Sequence, residues 1–467
     1  MTAAFTARVS AALTDPTLKT AIERTTGNAR AKRAAAVAAW PSFEAARDLG
    51  RDIKDHVTQN LAFYLAAFER NALASGAQIH WARTADEACD IVVRLCRQAG
   101  ATSVTRAKSM LGEEIGLPHA LEAAGIARVE TDLAEHIVQL AGDRPSHIVW
   151  PALHKTREQV REMFACLHHE PGGLDSVEAM VASARRELRQ KFMRADVGIS
   201  GANFLVADTG AICTVTNEGN AELTTTPPRV HIVTAGIEKL VPSTAHAMSL
   251  LRLLVRSATG AELTQYTTFH CGPKRADDAD GPREFHIVLV DNGRTRMLTE
   301  GLEDMLRCLR CGACLNHCVV YRQIGGHAYG GTYPGPMGAV LTPVLDGLPT
   351  AQDLPRACTL NGLCAEVCPV KIPLPTLIKG WRNKSWRLGL EPRAVTLALR
   401  LWRFAATRPA LYRLGTRLAL PVLRLFARSG WARALPFASG WTGQRDFPAP
   451  ARQSFLDQIK ERRHDRA

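Results

Sequence analysis

Seven of the chain's twelve cysteines fall between residues 308 and 368, and their spacing restricts what that segment can fold around more sharply than any other feature of the 467 residues. The first block, "CLRCGACLNHC", sets Cys308, Cys311, Cys314 and Cys318 three, three and four residues apart. The second, "CTLNGLCAEVCP", keeps that rhythm through Cys358, Asn361, Cys364 and Cys368-Pro369, with an amide where the second thiol belongs. Thiols crowded at ligand spacing argue for a bound cofactor and against disulfides. Three cysteines on tightly turned backbone can converge on one compact iron–sulfur core, with Gly312 permitting close approach, while the fourth of each run crosses to the other core. A structural zinc site would show four complete ligands at two paired spacings. Crossed wiring assigns Cys308, Cys311, Cys314 and Cys368 to cluster 1, a 4Fe–4S centre, and Cys318, Cys358 and Cys364 to cluster 2, one thiolate short. At Asn361 three outcomes stay open: a 3Fe–4S cluster, a 4Fe–4S cluster with water or another ligand on its unique iron, or a ligand supplied from elsewhere. The Gly/Pro-rich "YRQIGGHAYGGTYPGPMGAVLTPVL" between the blocks reads as an ordered wrap around the clusters.

Upstream, the chain is long and apolar enough, at 46% hydrophobic residues, for two or three domains with proper cores. Residues 1–75 are Ala- and Arg-rich with helical spacing, as in Leu61, Tyr64, Leu65 and Phe68. From "GAQIHWA" onward, short apolar runs alternate with amphipathic stretches. "EACDIVVRLCRQAG" reads as a helix closed by Gly100, "ATSVTRA" as a strand, "EEIGLPHALEAAG" as a helix and "SHIVWPA" as a strand, which predicts an α/β layer with a mostly parallel sheet. "NEGN" (217–220) reads as a hairpin turn, and "EFHIVLV" with "RTRMLTE" as a second hairpin about "DNG". After Gly301 the strands stop, and the tail is helical with breaks expected at Pro409, Pro421 and Pro436.

The formal charge is +13, and residues 381–435 carry twelve Lys/Arg against the single acid Glu391. That concentration, without a nucleic-acid reader motif, suits an acidic partner or an anionic membrane surface and not nucleic acid. With Trp381, Trp386, Trp402 and Trp431 among its arginines, the tail reads either as an amphipathic membrane or partner surface or as a helical cap with a solvated charged face. The N-terminus has no basic-then-apolar leader and nowhere do eighteen uncharged apolar residues run together, so a cytoplasmic, non-spanning protein is expected.

Outside the cysteines the candidates are fewer. Arg106, Lys108 and Ser109 follow a predicted strand and could hold a carboxylate or phosphate. Glu218, in the "TNEGN" turn, is a candidate for acid/base or nucleophilic work. His154 and Lys155 could reach the same cleft, and His317 and His327 could tune or ligate the clusters. Cys89, Cys96, Cys166, Cys213 and Cys271 default to buried small hydrophobes. No GxGxxG follows a strand and no flavin fingerprint is evident, so no two-electron cofactor site is read.

Five longer stretches carry a resemblance: "KSMLGEEIGL" (108–117), "VETDLAEHIVQLAGDRPSHIVWPALHKTREQV" (129–160), "GANFLVADTGAICTVTNEGNAELTTTPPRVHI" (201–232), "CLRCGACLNHCVVYRQIGGHAYGGTYPGPMGAVLTP" (308–343) and "GWTGQRDFPAPARQSF" (440–455). They resemble the lactate utilization protein B family, the iron–sulfur subunit of a bacterial three-protein L-lactate oxidation system. The resemblance implies a helical lead-in (1–75), a LUD domain similar to sugar-phosphate isomerases and CoA transferases (76–300), an α-helical two-cluster ferredoxin module (301–380) and a basic helical C-terminal domain (381–467). It also implies partners: a cysteine-rich heterodisulfide-reductase-like protein and a second LUD protein. The family usually has cysteine where this chain has Asn361, and does not always have Cys358, so Cys358 reads as a displaced ligand. The expected function is electron transfer in lactate oxidation to pyruvate. The rivals are a LUD enzyme acting on a small acid or thioester, with structural or regulatory clusters, and a redox-responsive binding protein.

Overall fold

The computed structural model describes residues 1–170, 173–435, 442 and 445–464, in two units, Met1–Ser385 and Trp386–Ala467. The first unit is built on a six-stranded sheet in the order β1(Gln78–Ala82), β10(Glu284–Val290), β7(Val230–Gly236), β4(Val197–Gly201), β2(Ser103–Arg106), β3(Ala127–Glu130), every neighbouring pair parallel. Continuous β-branched and apolar runs such as "VHIVTAG" suit strands covered on both faces. Along β7, Val230 and Ile232 face a core with Val92, Leu95 and Leu121, whereas Val233 and Ala235 face a second core with Val57 and Phe68. The two-residue alternation therefore feeds two cores from one strand. A second sheet, in the order β8(Leu240–Val241), β5(Phe204–Val206), β6(Ala211–Thr216), β9(Tyr266–His270), mixes parallel and antiparallel pairs.

The N-terminal helices, which end with Leu61–Ala74, clamp the cysteine module. Arg47 donates to the carbonyl oxygens of Glu366 and Cys368 at 2.7 Å each, and Arg33 donates to Val367 at 2.9 Å. Between the cysteine blocks, the helix Gly335–Leu345 is buried along nearly its whole length.

The second unit carries the helices Arg393–Ala406, Pro409–Leu425 and Phe455–His464 and a two-residue antiparallel pair, β11(Trp431–Ala432) with β12(Phe447–Pro448), so strands do not stop entirely at Gly301. Pro409 starts a helix as expected, whereas Pro421 lies inside one, and Pro436 is outside the described residues.

Several local expectations are corrected. "NEGN" is not a hairpin: β6 leads through Gly219 (φ 71°) into the helix Asn220–Thr225 and then into β7 of the other sheet. "DNG" likewise starts the helix Arg294–Thr299 after β10, with Gly293 at φ 88°. Both are strand-to-helix turns, which use the same left-handed glycine as a hairpin. "SHIVWPA" forms no strand, because Pro145 and Pro151 remove ladder donors at its ends and its apolar residues pack downward instead. "EEIGLPHALEAAG" splits at Gly116 into Met110–Glu114 and Leu117–Ala123, and β3 was not anticipated. Cys166 and Cys271 are exposed, whereas Cys89, Cys96 and Cys213 are buried.

Candidate functional site

All seven clustered cysteines are free of disulfides and fall into two groups. Cys308, Cys311, Cys314 and Cys368 line one small, almost wholly apolar cavity together with Met305, Met337 and Val370. Cys318, Cys358 and Cys364 form the other group: Cys358 helps raise the Cys318 thiol, and both help raise that of Cys364. Amide hydrogens are aimed at the sulfurs: Ile372 N–H at Cys368 (3.4 Å), Tyr321 N–H at Cys318 (3.4 Å) and Leu360 N–H at Cys358 (3.3 Å). Such donors stabilise thiolate and tune a cluster's potential, so converging sulfurs in dry cavities with amide donors fit iron–sulfur ligation. Burial, helped by the neighbouring Cys368 and Cys308, pushes the bare Cys311 thiol up to about 12, so taking up iron there means releasing a proton.

At the odd position, Asn361 is exposed and its Oδ1 accepts from Leu363 N–H at 3.3 Å. In the first block the Ala313 N–H, two residues after Cys311, donates to the Cys311 sulfur. The amide oxygen of Asn361 thus makes the same local hydrogen bond as the thiol it replaces.

A cleft of about 350 Å³ opens beside the first block, at the carboxyl ends of β2, β4 and β7. Ligands in open α/β sheets collect outside those ends. Ala107, Lys108 and Ser109 follow β2, Gly201 ends β4 and Asn203 follows it, Gly236 ends β7, and Glu218 follows β6. Leu309 and Arg310, the two residues between Cys308 and Cys311, complete the wall. A loop holds the two sites together: Ile148, Val149 and Trp150 line the cleft, while His147 packs against Gly312, where a Cβ would come within 3.1 Å of its ring. His147 accepts from Val149 and Trp150 N–H through Nδ1 and donates from Nε2 to Asn316 at 3.2 Å. Burial pulls this imidazole down to about 3, so it stays neutral and structural.

The residues expected to bind an anion are largely spoken for. Arg106, 1% exposed, is paired with Glu113 and Glu130 at 2.9 Å each. Lys108 lines the cleft but donates to the Val149 carbonyl at 2.6 Å, and Ser109 caps a helix through Gly112 N–H. Glu218 is exposed at the cleft mouth, where its Oε2 accepts from Leu133 N–H at 3.1 Å. Desolvation by the surrounding walls, with the Asp132 carboxylate nearby, holds its carboxyl above the ordinary range. His154 and Lys155 do not line the cleft; both bind Asp143, at 3.0 and 2.9 Å. His317 and His327 each give one ring nitrogen to a backbone carbonyl, of Ala313 and Arg144.

The comparisons follow the same division. Residues 65–290 match the LUD domain model, 304–372 the 4Fe-4S dicluster domain and 389–464 the lactate utilisation protein B C-terminal model. The chain is 40% identical to lactate utilization protein B of Bacillus cytotoxicus over 98% of this chain and 97% of that one, and 41% identical to its namesake in Bacillus velezensis over 99% and 97%. The chain belongs to the lactate utilization protein B family. It is also 41% identical, over 98% of this chain and 96% of the other, to an uncharacterized electron transport protein, YkgF, of Escherichia coli strain K12.

In this member of the family, the electrostatics of the cleft centre on residues that carry no local motif. Arg294 makes a bidentate pair with Glu114 (2.8 and 3.0 Å) and also binds Glu238, with all three side chains buried. Gly236 makes room for this: a Cβ there would lie 2.0 Å from the Glu238 carboxylate. Tyr333 donates to Glu114 at 2.6 Å, and Arg310 stacks over the Tyr333 ring at 4.6 Å while approaching Glu238 at 3.5 Å. Arg310 does so from a left-handed backbone (φ 61°), a strained conformation for a side chain of this size. Lys239 lies beside the same group, its amine pulled down to about 8 by burial. The "IEK" stretch gave no local motif, and Arg310 was hidden in plain view between two ligands.

Proposed function

We propose that this protein is the electron-transfer subunit of an L-lactate oxidation system, taking the electrons released as lactate becomes pyruvate and passing them to a further carrier. The observation that carries this reading is the gathering of seven thiols into two sets, one of them sharing Leu309 as a wall with an α/β cleft. Clusters held there would move electrons singly, and lactate oxidation releases two, so two adjacent sets suit the stoichiometry. Relatives that carry the name lactate utilization protein support the choice of substrate. The proposed partners are a cysteine-rich heterodisulfide-reductase-like protein and a second LUD protein, to be sought by co-purification from lactate-grown cells. Deleting the gene should abolish growth on L-lactate and spare growth on pyruvate. Unchanged lactate growth, in a strain without another lactate dehydrogenase, would sink the proposal.

A catalytic LUD domain is the second reading, favoured by Glu218 at the cleft mouth. If the domain is not catalytic, Glu218→Gln should leave cluster content and lactate oxidation by the assembled system near wild type. A loss of several orders of magnitude in a folded, cluster-loaded protein would establish the enzyme reading instead.

For docking, the helices Arg393–Ala406 and Pro409–Leu425 favour an anionic membrane surface. Neither buries a single residue. Arg413, Arg417 and Arg424 share one face of the second helix, while Leu414, Leu418 and Leu425 (82% exposed) form a row about 100° round from it. Trp402 and Phe404 on the first helix are exposed as well. A basic, aromatic-bearing amphipathic pair with no acid between Glu391 and Asp446 suits the interface of a negatively charged bilayer. No helix among the described residues is long and apolar enough to cross a membrane. The full chain should sediment with phosphatidylglycerol vesicles and not with phosphatidylcholine vesicles, and equal or no binding would refute the lipid assignment.

A further inference from the structure

The wall of the cleft nearest cluster 1 holds more positive charge than its buried carboxylates answer, with the Cys308 sulfur as a further negative group near Lys239 and Arg310. Two buried carboxylates, Glu114 and Glu238, face Arg294, Arg310 and Lys239. Arg294 consumes most of both acids with three hydrogen bonds, and Arg310 keeps only a long 3.5 Å approach to Glu238. Lys239 makes no hydrogen bond or ion pair among the described residues. A part-buried cation without a partner is costly unless something else supplies the counter-charge.

A second, separate observation lies in the same cavity. The Thr234 hydroxyl, 1% exposed, lines the cleft and has no hydrogen-bond partner among the described residues. Buried hydroxyls are normally satisfied, so this one is waiting for an oxygen or a water. Trp150, Val215 and Leu254 give the cleft an apolar side, and its volume of about 350 Å³ is at the lower end of the range that small-molecule sites occupy.

We propose that the cleft binds a small organic acid, its carboxylate held by Lys239 and Arg310, a further oxygen taken by Thr234 and its carbon body lying along Trp150 and Val215. Lys239 and Arg310 are binding residues in this assignment, and no chemical step is assigned to them. Because Arg310 joins Cys308 to Cys311, the bound anion sits next to cluster 1 and its charge favours the oxidised cluster. The choice of acid to try first rests on the lactate reading given above, while the site itself does not.

The test is calorimetric titration of the full-length, cluster-loaded protein with L-lactate, pyruvate and inorganic phosphate, alongside Lys239→Gln and Lys239→Arg. The expected result is saturable binding of at least one of the two acids, weakened at least about tenfold by Lys239→Gln and largely kept by Lys239→Arg. Saturating acid should also lower the potential of one cluster in a redox titration of wild type and not of Lys239→Gln. Should Lys239→Gln fail to load iron, Thr234→Val reads the same cleft and should weaken the acid several-fold. Absence of saturable binding by either acid overturns the proposal, as does an affinity untouched by both Lys239→Gln and Thr234→Val. Phosphate binding that neither acid displaces overturns the carboxylate assignment. If Lys239→Gln shifts a cluster potential while no acid binds wild type, the amine serves only to balance cluster charge and the proposal falls. Failure here with lactate growth still lost on gene deletion removes the cleft and leaves the electron-transfer reading standing. Binding without that growth defect does the reverse.

Discussion

The two cysteine loops follow the same path. Arg310 and Leu360, each two residues past the first cysteine, take φ values of 61° and 56°, and Gly312 and Gly362, two further on, take 74° and 91°. Each glycine then starts a short helix, Ala313–His317 or Leu363–Glu366. Their surroundings differ. The first loop is roofed by His147 and sends Arg310 into the cleft, whereas the second leaves Asn361 and Leu363 exposed. The shape of such a loop is therefore set by its glycine and its left-handed residue, not by the atom at the middle ligand position. A thiol can be exchanged for an amide there without refolding, and the exchange occurs where solvent can reach the result.

The sharpest way to break this comparison is Cys368→Ser. Although it belongs to the second block, it should cost cluster 1 and about four irons, with the other set retained, as read by iron and sulfide analysis with EPR. Loss of the other cluster instead would refute the crossed wiring. Cys358→Ser should do the converse, removing cluster 2 and sparing cluster 1; an unchanged iron content would mean that Cys358 is not the displaced ligand. Asn361→Cys should have a subtler effect. Wild type, purified with oxidation, should show a three-iron EPR signal from part of the population, because an iron corner without a strong soft ligand is labile. The added thiolate should suppress that signal and lower the cluster's potential, since another anionic ligand favours the oxidised state. Two oxidatively stable four-iron clusters in wild type would count against the open corner. The smallest effect is expected of Asn361→Ala, which removes only the hydrogen bond to Leu363 N–H and should change stability by about 1 kcal/mol or less in thermal unfolding. A collapse of cluster 2 in that variant would show the amide to be an iron ligand in its own right.

How much of this was legible in the sequence depended on whether the signal was local. Strands such as β7 and β10 announced themselves as β-branched runs, and the thiols by spacing. The turns were misread because "NEGN" and "DNG" use glycine in a conformation that serves a strand-to-helix turn as well as a hairpin; only the partner strand, in a different sheet or parallel, decides between them. "SHIVWPA" looked like a strand because apolar residues facing a cleft and a neighbouring loop have the composition of residues facing a core. Arg106 resembled a ligand clamp, yet Glu113 and Glu130 had already claimed it. Lys239 and Arg310 lie 71 positions apart in the chain, and no period or motif links residues that meet only through tertiary packing.

The short Leu309–Arg310 segment has a thermodynamic consequence. It is at once the spacer between Cys308 and Cys311 and a panel of the cleft wall, and the loop from His147 to Trp150 touches both sides. Coupling across this segment is reciprocal: to the extent that a filled cleft tightens the hold on iron, a stripped cluster loosens the cleft's affinity for its ligand by the same factor. Oxidative damage to cluster 1 would then double as an off-switch, emptying the cleft of a protein that can no longer carry electrons.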